Sequence, residues 1–166
     1  TTIGNSAFYG CKGLTGTLTI PDSVTTIGYY AFWGCTGLTN VTIGNSVTTI
    51  GSSAFSGCTG LINVTIGISV TTIDYSAFSG CTGLTTVTIP DSIRTIGGSA
   101  FQGCTGLTGT FTIPDGVTTI GGSAFQGCTG LASVMIPDNV KYIGDNAFGG
   151  CSNLLKVTLA VSPNQS

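Results

Sequence analysis

Seven cysteines divide this chain at almost constant intervals. Cys11, Cys35, Cys58, Cys81, Cys104, Cys128 and Cys151 stand 23 or 24 residues apart. Each follows a Gly, and each is followed three residues later by Leu, from Leu14 to Leu154. An Ala-Phe pair precedes every one, from Ala7-Phe8 to Ala147-Phe148. Further upstream lies an isoleucine: Ile3, Ile27, Ile50, Ile73, Ile96, Ile120 or Ile143. The unit reads T-x-I-G-x-x-A-F-x-G-C-x-x-L-x-x-V-x-I-P-x-x-V. Self-similarity at a fixed period marks a repeat architecture and overrides any other reading of the chain. One such unit cannot bury its own apolar face. Stacked units can, because each Ile, Phe, Leu and Val then sits over its counterpart in the next coil.

The parts of a coil follow from local chemistry. Leu38-Thr39-Asn40-Val41-Thr42-Ile43 ends in strict alternation, as a half-buried strand does, with Val41 and Ile43 inward and Thr42 outward. Pro-Asp at 21–22, 90–91, 114–115 and 137–138 stops the strand and turns the chain. Val47 to Ile50 is a second short extended piece. Ser53 to Cys58 is too short and too Gly-punctuated for an α-helix, and is expected to form one turn of 3₁₀ type. Residues 1–166 are therefore read as one solenoid of seven repeats, mainly β, with parallel strands, short 3₁₀ turns and little α-helix. Seven rungs at about 4.8 Å would span roughly 34 Å. The two 24-residue units carry their extra residue beside Gly16 and Gly109, which predicts a small bulge before the strand.

The motif I-G-x-x-A-F-x-G-C-x-x-L-x-x-V-x-I-P resembles the BspA-like, or Treponema-type, leucine-rich repeats over essentially the whole chain. The resemblance implies a right-handed solenoid on secreted or surface proteins of bacteria and some microbial eukaryotes. It implies adhesion to host or matrix proteins, or to other cells. The binding residues of that family vary, so none carries over by position.

Composition removes several function classes. Apolar residues are 41% of the chain, enough for a continuous core, while charged residues are only 6%, with a net charge of −2. A soluble chain ordinarily has about a quarter of its residues charged, so hydration falls here to Thr, Ser, Asn and Gly or to groups attached to them. No basic patch marks a nucleic-acid partner or an anionic lipid surface. No apolar run reaches the roughly 18 residues of a membrane helix. The chain has no His and no Glu, so neither a Ser-His-Asp nor a Cys-His constellation can be built. Neither catalysis nor a cofactor is expected.

Four candidate surfaces remain. The outward strand positions Thr19, Thr42, Thr65, Thr88, Thr112, Met135 and Thr158 form a file, flanked by Thr39, Asn40, Thr85 and Thr86, and are the first candidate contact face. With the Thr-Thr pairs at 25–26, 48–49, 71–72 and 118–119, the same file is a candidate for binding ice. Tyr9 and Trp33 occupy a solvent-facing slot of adjacent coils and are expected to offer exposed rings. Asn40, Asn63 and Asn164 head N-x-[ST] sequons, the first two on adjacent rungs. Asp91, Asp115 and Asp138 stack at the turns, where carboxylates one rung apart could share a calcium ion, though each rung supplies one ligand. The cysteine file is expected to be a ladder of buried thiols behaving as small hydrophobes, since neighbouring Cβ atoms at rung spacing lie beyond the about 3.8 Å of a disulfide.

Neither end of the sequence reads as a polar capping repeat of the kind solenoids need. A longer array, flanking caps, or copies stacked end to end into a filament would each account for this. The leading functional expectation is an extracellular or cell-surface adhesion module binding protein or carbohydrate. The alternative is a segment of an extracellular fibre, glycosylated or bare.

Overall fold

The computed structural model describes residues 1–160, and these wind into a parallel β-solenoid of about seven coils with no helix. Three hydrogen-bonded strips run along it. The narrow strip is one seven-stranded sheet of two-residue strands: β1 (Thr2–Ile3), β3 (Thr26–Ile27), β5 (Thr49–Ile50), β7 (Thr72–Ile73), β9 (Thr95–Ile96), β11 (Thr119–Ile120) and β13 (Tyr142–Ile143). The repeating isoleucine pairs with itself at every step, Ile27 with Ile50 and Ile50 with Ile73. A two-residue strand has almost no stability alone. It persists here because each Ile between Ile27 and Ile120 is buried beneath it.

The broad strip carries the longer strands: β2 (Gly16–Ile20), β4 (Leu38–Ile43), β6 (Asn63–Thr65), β8 (Thr86–Thr88), β10 (Gly109–Thr112), β12 (Leu131–Ile136) and β14 (Lys156–Leu159). They form two sheets rather than one, β2-β4-β6-β8 and β10-β12-β14. The expected bulges lie at Gly16/Thr17 and Gly109/Thr110. Both glycines have φ above +70°, a conformation in which a Cβ would be strained.

The third strip replaces the expected 3₁₀ turn. The i→i−3 bonds of such a turn are present: Ala7, Tyr9 and Cys11 donate to the carbonyls of Gly4, Ser6 and Phe8. The intervening amides do not join them. Ser6, Phe8 and Gly10 instead donate across to Tyr29, Ala31 and Trp33 of the next coil. Alternate amides thus close turns within a coil and ladders between coils. A continuous 3₁₀ helix is prevented because two residues per coil are left-handed: Ser6, Tyr30, Ser53, Ser76, Ser99, Ser123 and Asn146, all near φ +55°, and the Gly before each Cys, from Gly10 to Gly150.

Side chains copy the backbone register. Phe8, Phe32, Phe55, Phe78, Phe101, Phe125 and Phe148 form one stack, with centroids 5.0–5.5 Å apart and planes within 14° of parallel. Such offset stacks add to the energy of burial. Cys35 through Cys151 each direct a thiol at the Phe carbonyl one coil back, at 3.1–3.2 Å. That carbonyl already accepts the Cys amide of its own coil, so both of its lone pairs are used. Close approach also fixes some glycines: a Cβ on Gly83 would meet the Thr59 carbonyl oxygen at 2.7 Å.

Phe78 is fully buried in a central coil, between Phe55 and Phe101. Phe78→Ala is expected to cost about 3–5 kcal/mol through the cavity it leaves. Chemical denaturation checks this, and a loss below about 1 kcal/mol would show that the stack does not support the core.

Candidate recognition surfaces

The threonine file is not one continuous face. Thr19, Thr42, Thr65 and Thr88 register on the first broad sheet, and Thr112, Met135 and Thr158 on the second. Thr19, Thr42, Thr65, Thr88, Thr112 and Met135 are exposed, whereas Thr158 is half-buried. Met135 interrupts the hydroxyls, and the Thr112 hydroxyl lies 3.9 Å from its Sδ. Beside these residues, Thr112, Met135 and Thr158 line a shallow depression of about 70 Å³ with Pro137.

On the narrow strip the outer threonines are already engaged. Thr48 and Thr118 turn their hydroxyls onto the carbonyls of Thr25 and Arg94, one coil back. Arg94 stands where five of the other coils carry Thr and the last carries Lys141, and its guanidinium bonds the carbonyls of Asp91 and Gly116. Among the described residues no three acidic or thiol side chains come together as a metal site. The stacked Asp91, Asp115 and Asp138 therefore do not form a multi-ligand calcium site.

Asn40 and Asn63 lie on adjacent strands and form an amide ladder. The Asn63 side-chain amide donates to Asn40 Oδ1 at 2.9 Å, and the Asn40 amide donates to Thr39 and Thr17 hydroxyls at 3.0 and 3.4 Å. A glycan would take one of the two hydrogens of the side-chain nitrogen, so Asn40 would give up one of its two bonds while Asn63 could keep its bond to Asn40. Asn164 lies outside the described residues.

The aromatic surface is larger than the slot residues suggested. All five tyrosines and the single tryptophan are exposed, whereas every phenylalanine from Phe32 to Phe125 is buried. Tyr9 and Trp33 stack face to face, centroids 4.6 Å apart and planes within 9°. The next residue in their file is Ser56, so the far face of the indole has no ring covering it. Tyr29 and Tyr30, in the same coil as Trp33, are about half exposed. Their signal was present in the sequence: Tyr-Tyr fills a slot whose second residue is Ser or Asn in every other coil. Tyr30 also holds the left-handed position, at φ 55°, where six other coils carry Ser or Asn. Bulky residues rarely adopt that conformation, because Cβ crowds the following carbonyl.

All seven cysteines are free thiols, with Cys11 exposed and the other six buried. Burial, reinforced by the neighbouring thiols, pushes Cys58 and Cys128 up to about 12 from an ordinary 9.0. Burial raises Cys81 and Cys104 as well. An unfolded chain releases these protons near pH 9, while the fold retains them. Stability is thus fully present below about pH 8.5 and falls as pH rises towards 12, by about 1.4 kcal/mol per thiol per pH unit. The denaturation midpoint should be level from pH 6 to 8 and drop steeply above 9. A thiol reagent at pH 8 should label Cys11 alone until the chain unfolds. A midpoint unchanged to pH 11, or six rapidly labelled thiols, would contradict the ladder.

Comparison with known proteins places this geometry. The model of the BspA type leucine rich repeat region matches residues 1–110 and 108–165 in six copies. A crystal structure of a leucine-rich repeat protein from Bacteroides ovatus is 39% identical with a TM-score of 0.86, over 94% of this chain. The chain spans only 39% of the length of that protein. The T. pallidum leucine rich repeat protein is 34% identical with a TM-score of 0.82, over 86% of this chain and 68% of its own. A leucine rich cell surface protein from Faecalibacterium prausnitzii shares the fold at 24% identity and a TM-score of 0.56, over 98% of this chain and 64% of its own. Among curated proteins none matches. With the family model covering nearly every residue and two solved relatives above 30% identity, the chain belongs to the BspA-type leucine-rich repeat proteins.

Proposed function

We propose that this chain is a non-catalytic recognition module that works outside the cell or on its surface, adhering through exposed rings on its first two coils. The observation that carries this reading is Tyr30. A left-handed backbone costs a residue with a Cβ about 1 kcal/mol or more; every coil keeps one at this position, and only this coil sets a bulky ring there, where the others carry Ser or Asn. Tyr30 is no part of the buried core: about half of it is exposed, in the coil that also carries Tyr29 and Trp33. Strain retained at an exposed position is characteristic of binding sites. The fold supplies a rigid support: both turn ladders and the Phe stack run directly beneath.

The chemistry of the patch selects an uncharged partner. Flat apolar ring faces flanked by Ser and Tyr hydroxyls suit the C–H face of a saccharide or apolar side chains of a protein. The relative from Faecalibacterium prausnitzii is described as a cell surface protein, which supports the location. The threonine file is a second, hydroxyl-rich contact face of the same module. Its hydroxyls do not make the unbroken flat grid that ice binding requires, because the sheet divides after Thr88 and Met135 interrupts it.

The test is attachment of protein-coated beads to a cell layer, with and without periodate treatment of the layer to destroy sugars. Trp33→Ala should lower attachment at least tenfold without unfolding the chain. Tyr30→Asn should weaken attachment while raising stability by about 1 kcal/mol. Periodate sensitivity identifies a saccharide, and insensitivity a protein. Wild-type attachment by both variants, or none by the parent protein, would overturn the reading.

A further inference from the structure

The broad strip is open in the middle of the solenoid. Strands β8 and β10 belong to consecutive coils, yet no ladder joins them. No Cα of one lies within 8 Å of a Cα of the other, whereas adjacent paired strands stand about 4.8 Å apart. The missing bonds can be named. Ile66 donates to Thr88, and Ile113 donates to Met135, but Ile89 makes no such bond to Thr112. Thr85 donates to Ile62, and Leu155 to Ala132, but Thr108 does not donate to Thr85. The same two coils remain joined elsewhere: β7-β9-β11 is continuous, and Phe78 donates to Ala100 in the turn strip. The opening is therefore confined to β8 and β10: the same coils meet again before it, where a Cβ on Gly106 would lie 2.8 Å from the Leu84 carbonyl oxygen, and after it, where one on Gly116 would run into the Asp91 carbonyl.

Burial records the opening independently. At the inward Val position, Val41, Val64 and Val134 are 1% exposed or less, and at the inward Ile position, Ile43, Ile66, Ile113 and Ile136 are 4% or less. Val87 and Ile89 are only half-buried, although coils stand on both sides of them. The cause lies in β10. Its extra residue, Gly109 at φ 71°, bulges the strand so that it registers forward onto β12. Phe111 replaces the usual Val and sets its ring edge-on against Phe125 at 5.0 Å, which draws β10 further from β8.

We propose that this opening receives an extended, uncharged peptide segment of a partner protein as an inserted strand. A strand centred between two others needs flanking strands about 9.6 Å apart, which fits a separation beyond 8 Å. Backbone groups in a parallel ladder alternate sides. Thr86 and Thr88 face β6, so Val87 and Ile89 present their N–H and C=O groups to the opening. On the far wall Ile113 faces β12, so Thr110 and Thr112 present theirs. Two such walls at once are complementary only to another extended backbone. The floor is apolar, made by Val87, Ile89 and the edge of Phe111, so alternate residues of the guest are apolar. The rim is Thr86, Thr88, Thr110 and Thr112. No charged side chain lies within residues 84–90 or 107–114, which selects against a charged guest. This site is separate from the aromatic patch and stands or falls apart from it.

The probe is the capped hexapeptide Leu-Thr-Asn-Val-Thr-Ile, the sequence of the β4 strand, with its Val→Pro form as control. Amide hydrogen exchange is read on the full chain. Without peptide, the amides of Val87, Ile89, Thr110 and Thr112 should exchange at least 100-fold faster than those of 64–66. Millimolar peptide should slow them at least tenfold, and the proline form should not. A variant with Gly109 deleted and Phe111→Val restores the 23-residue period; it should fold, protect Ile89 unaided and lose peptide binding. Equal protection of Ile89 and Ile66 in the free protein would show a closed sheet and overturn the proposal. So would an unprotected opening at millimolar peptide, protection confined to the outer edges of β2 or β14, or undiminished binding by the closed variant.

Discussion

Everything in this structure depends on coils stacking in register, with each residue of the repeat placed over its own copy. The Phe stack shows why the register holds. A ring at 5.0–5.5 Å from two parallel neighbours tolerates little sliding. The Phe carbonyl is tied twice, by the Cys amide of its own coil and the thiol of the next. A slip of one residue would expose the core of a strand and break both ties together. The low charge is a consequence of the same register. Like charges repeated once per rung would stand about 4.8 Å apart along the whole array, so neutral hydroxyls and amides hydrate the surface instead. Asn63 on Asn40 and Gln102 on Gln126 convert even these into ladders.

Much of this was legible in the sequence, and for a physical reason. A solenoid repeats the same local problem in every coil, so the period and the inward Ile, Phe and Leu are each stated seven times over, the inward Val five times and the Pro-terminated strand four times. The bulges at Gly16 and Gly109 were readable from the length of their coils. The turn strip was less so, because hydrogen-bond partners one coil away leave no local periodicity. Only the Ser or Asn before each Ala-Phe pair and the Gly before each Cys hint at left-handed residues. The division of the broad strip was not readable. The repeat at Gly16 has the same extra residue, and its strand pairs forward without difficulty. What differs is Phe111 in a Val position, together with a coil behind it that β10 must leave in order to pair ahead. Among the surface candidates, Tyr9 and Trp33 were found from their slot; Tyr29 and Tyr30 were missed because the left-handed backbone that makes Tyr30 unusual leaves no apolar period, although Tyr stands there where every other coil has Ser or Asn.

Function in such a molecule belongs to departures from the repeat. A perfect array offers the same weak contact many times, and specificity requires that one place differ. The two departures on this chain differ in kind. One is a patch of rings added to an intact scaffold near Trp33, with strain held at Tyr30. The other is a fault in the scaffold itself, between Thr88 and Thr112, where backbone groups that the fold ordinarily consumes are left available. Both lie on rigid supports, because the narrow and turn strips continue unbroken beneath them.

The most direct measurement of this account is paired cysteine trapping on the broad face. At rung spacing of about 4.8 Å a pair of Cβ atoms must close by about 1 Å to reach a disulfide, a movement open to side chains on the exposed face and denied to thiols packed in the core, whereas Cα atoms more than about 7 Å apart cannot be bridged. Thr42→Cys with Thr65→Cys, on paired strands, should close under mild oxidation in the folded protein. Thr88→Cys with Thr112→Cys, across the opening, should remain reduced under the same conditions. Closure of both pairs at equal rates would contradict the fault in the stack, and closure of neither would contradict the register on which the whole structure rests.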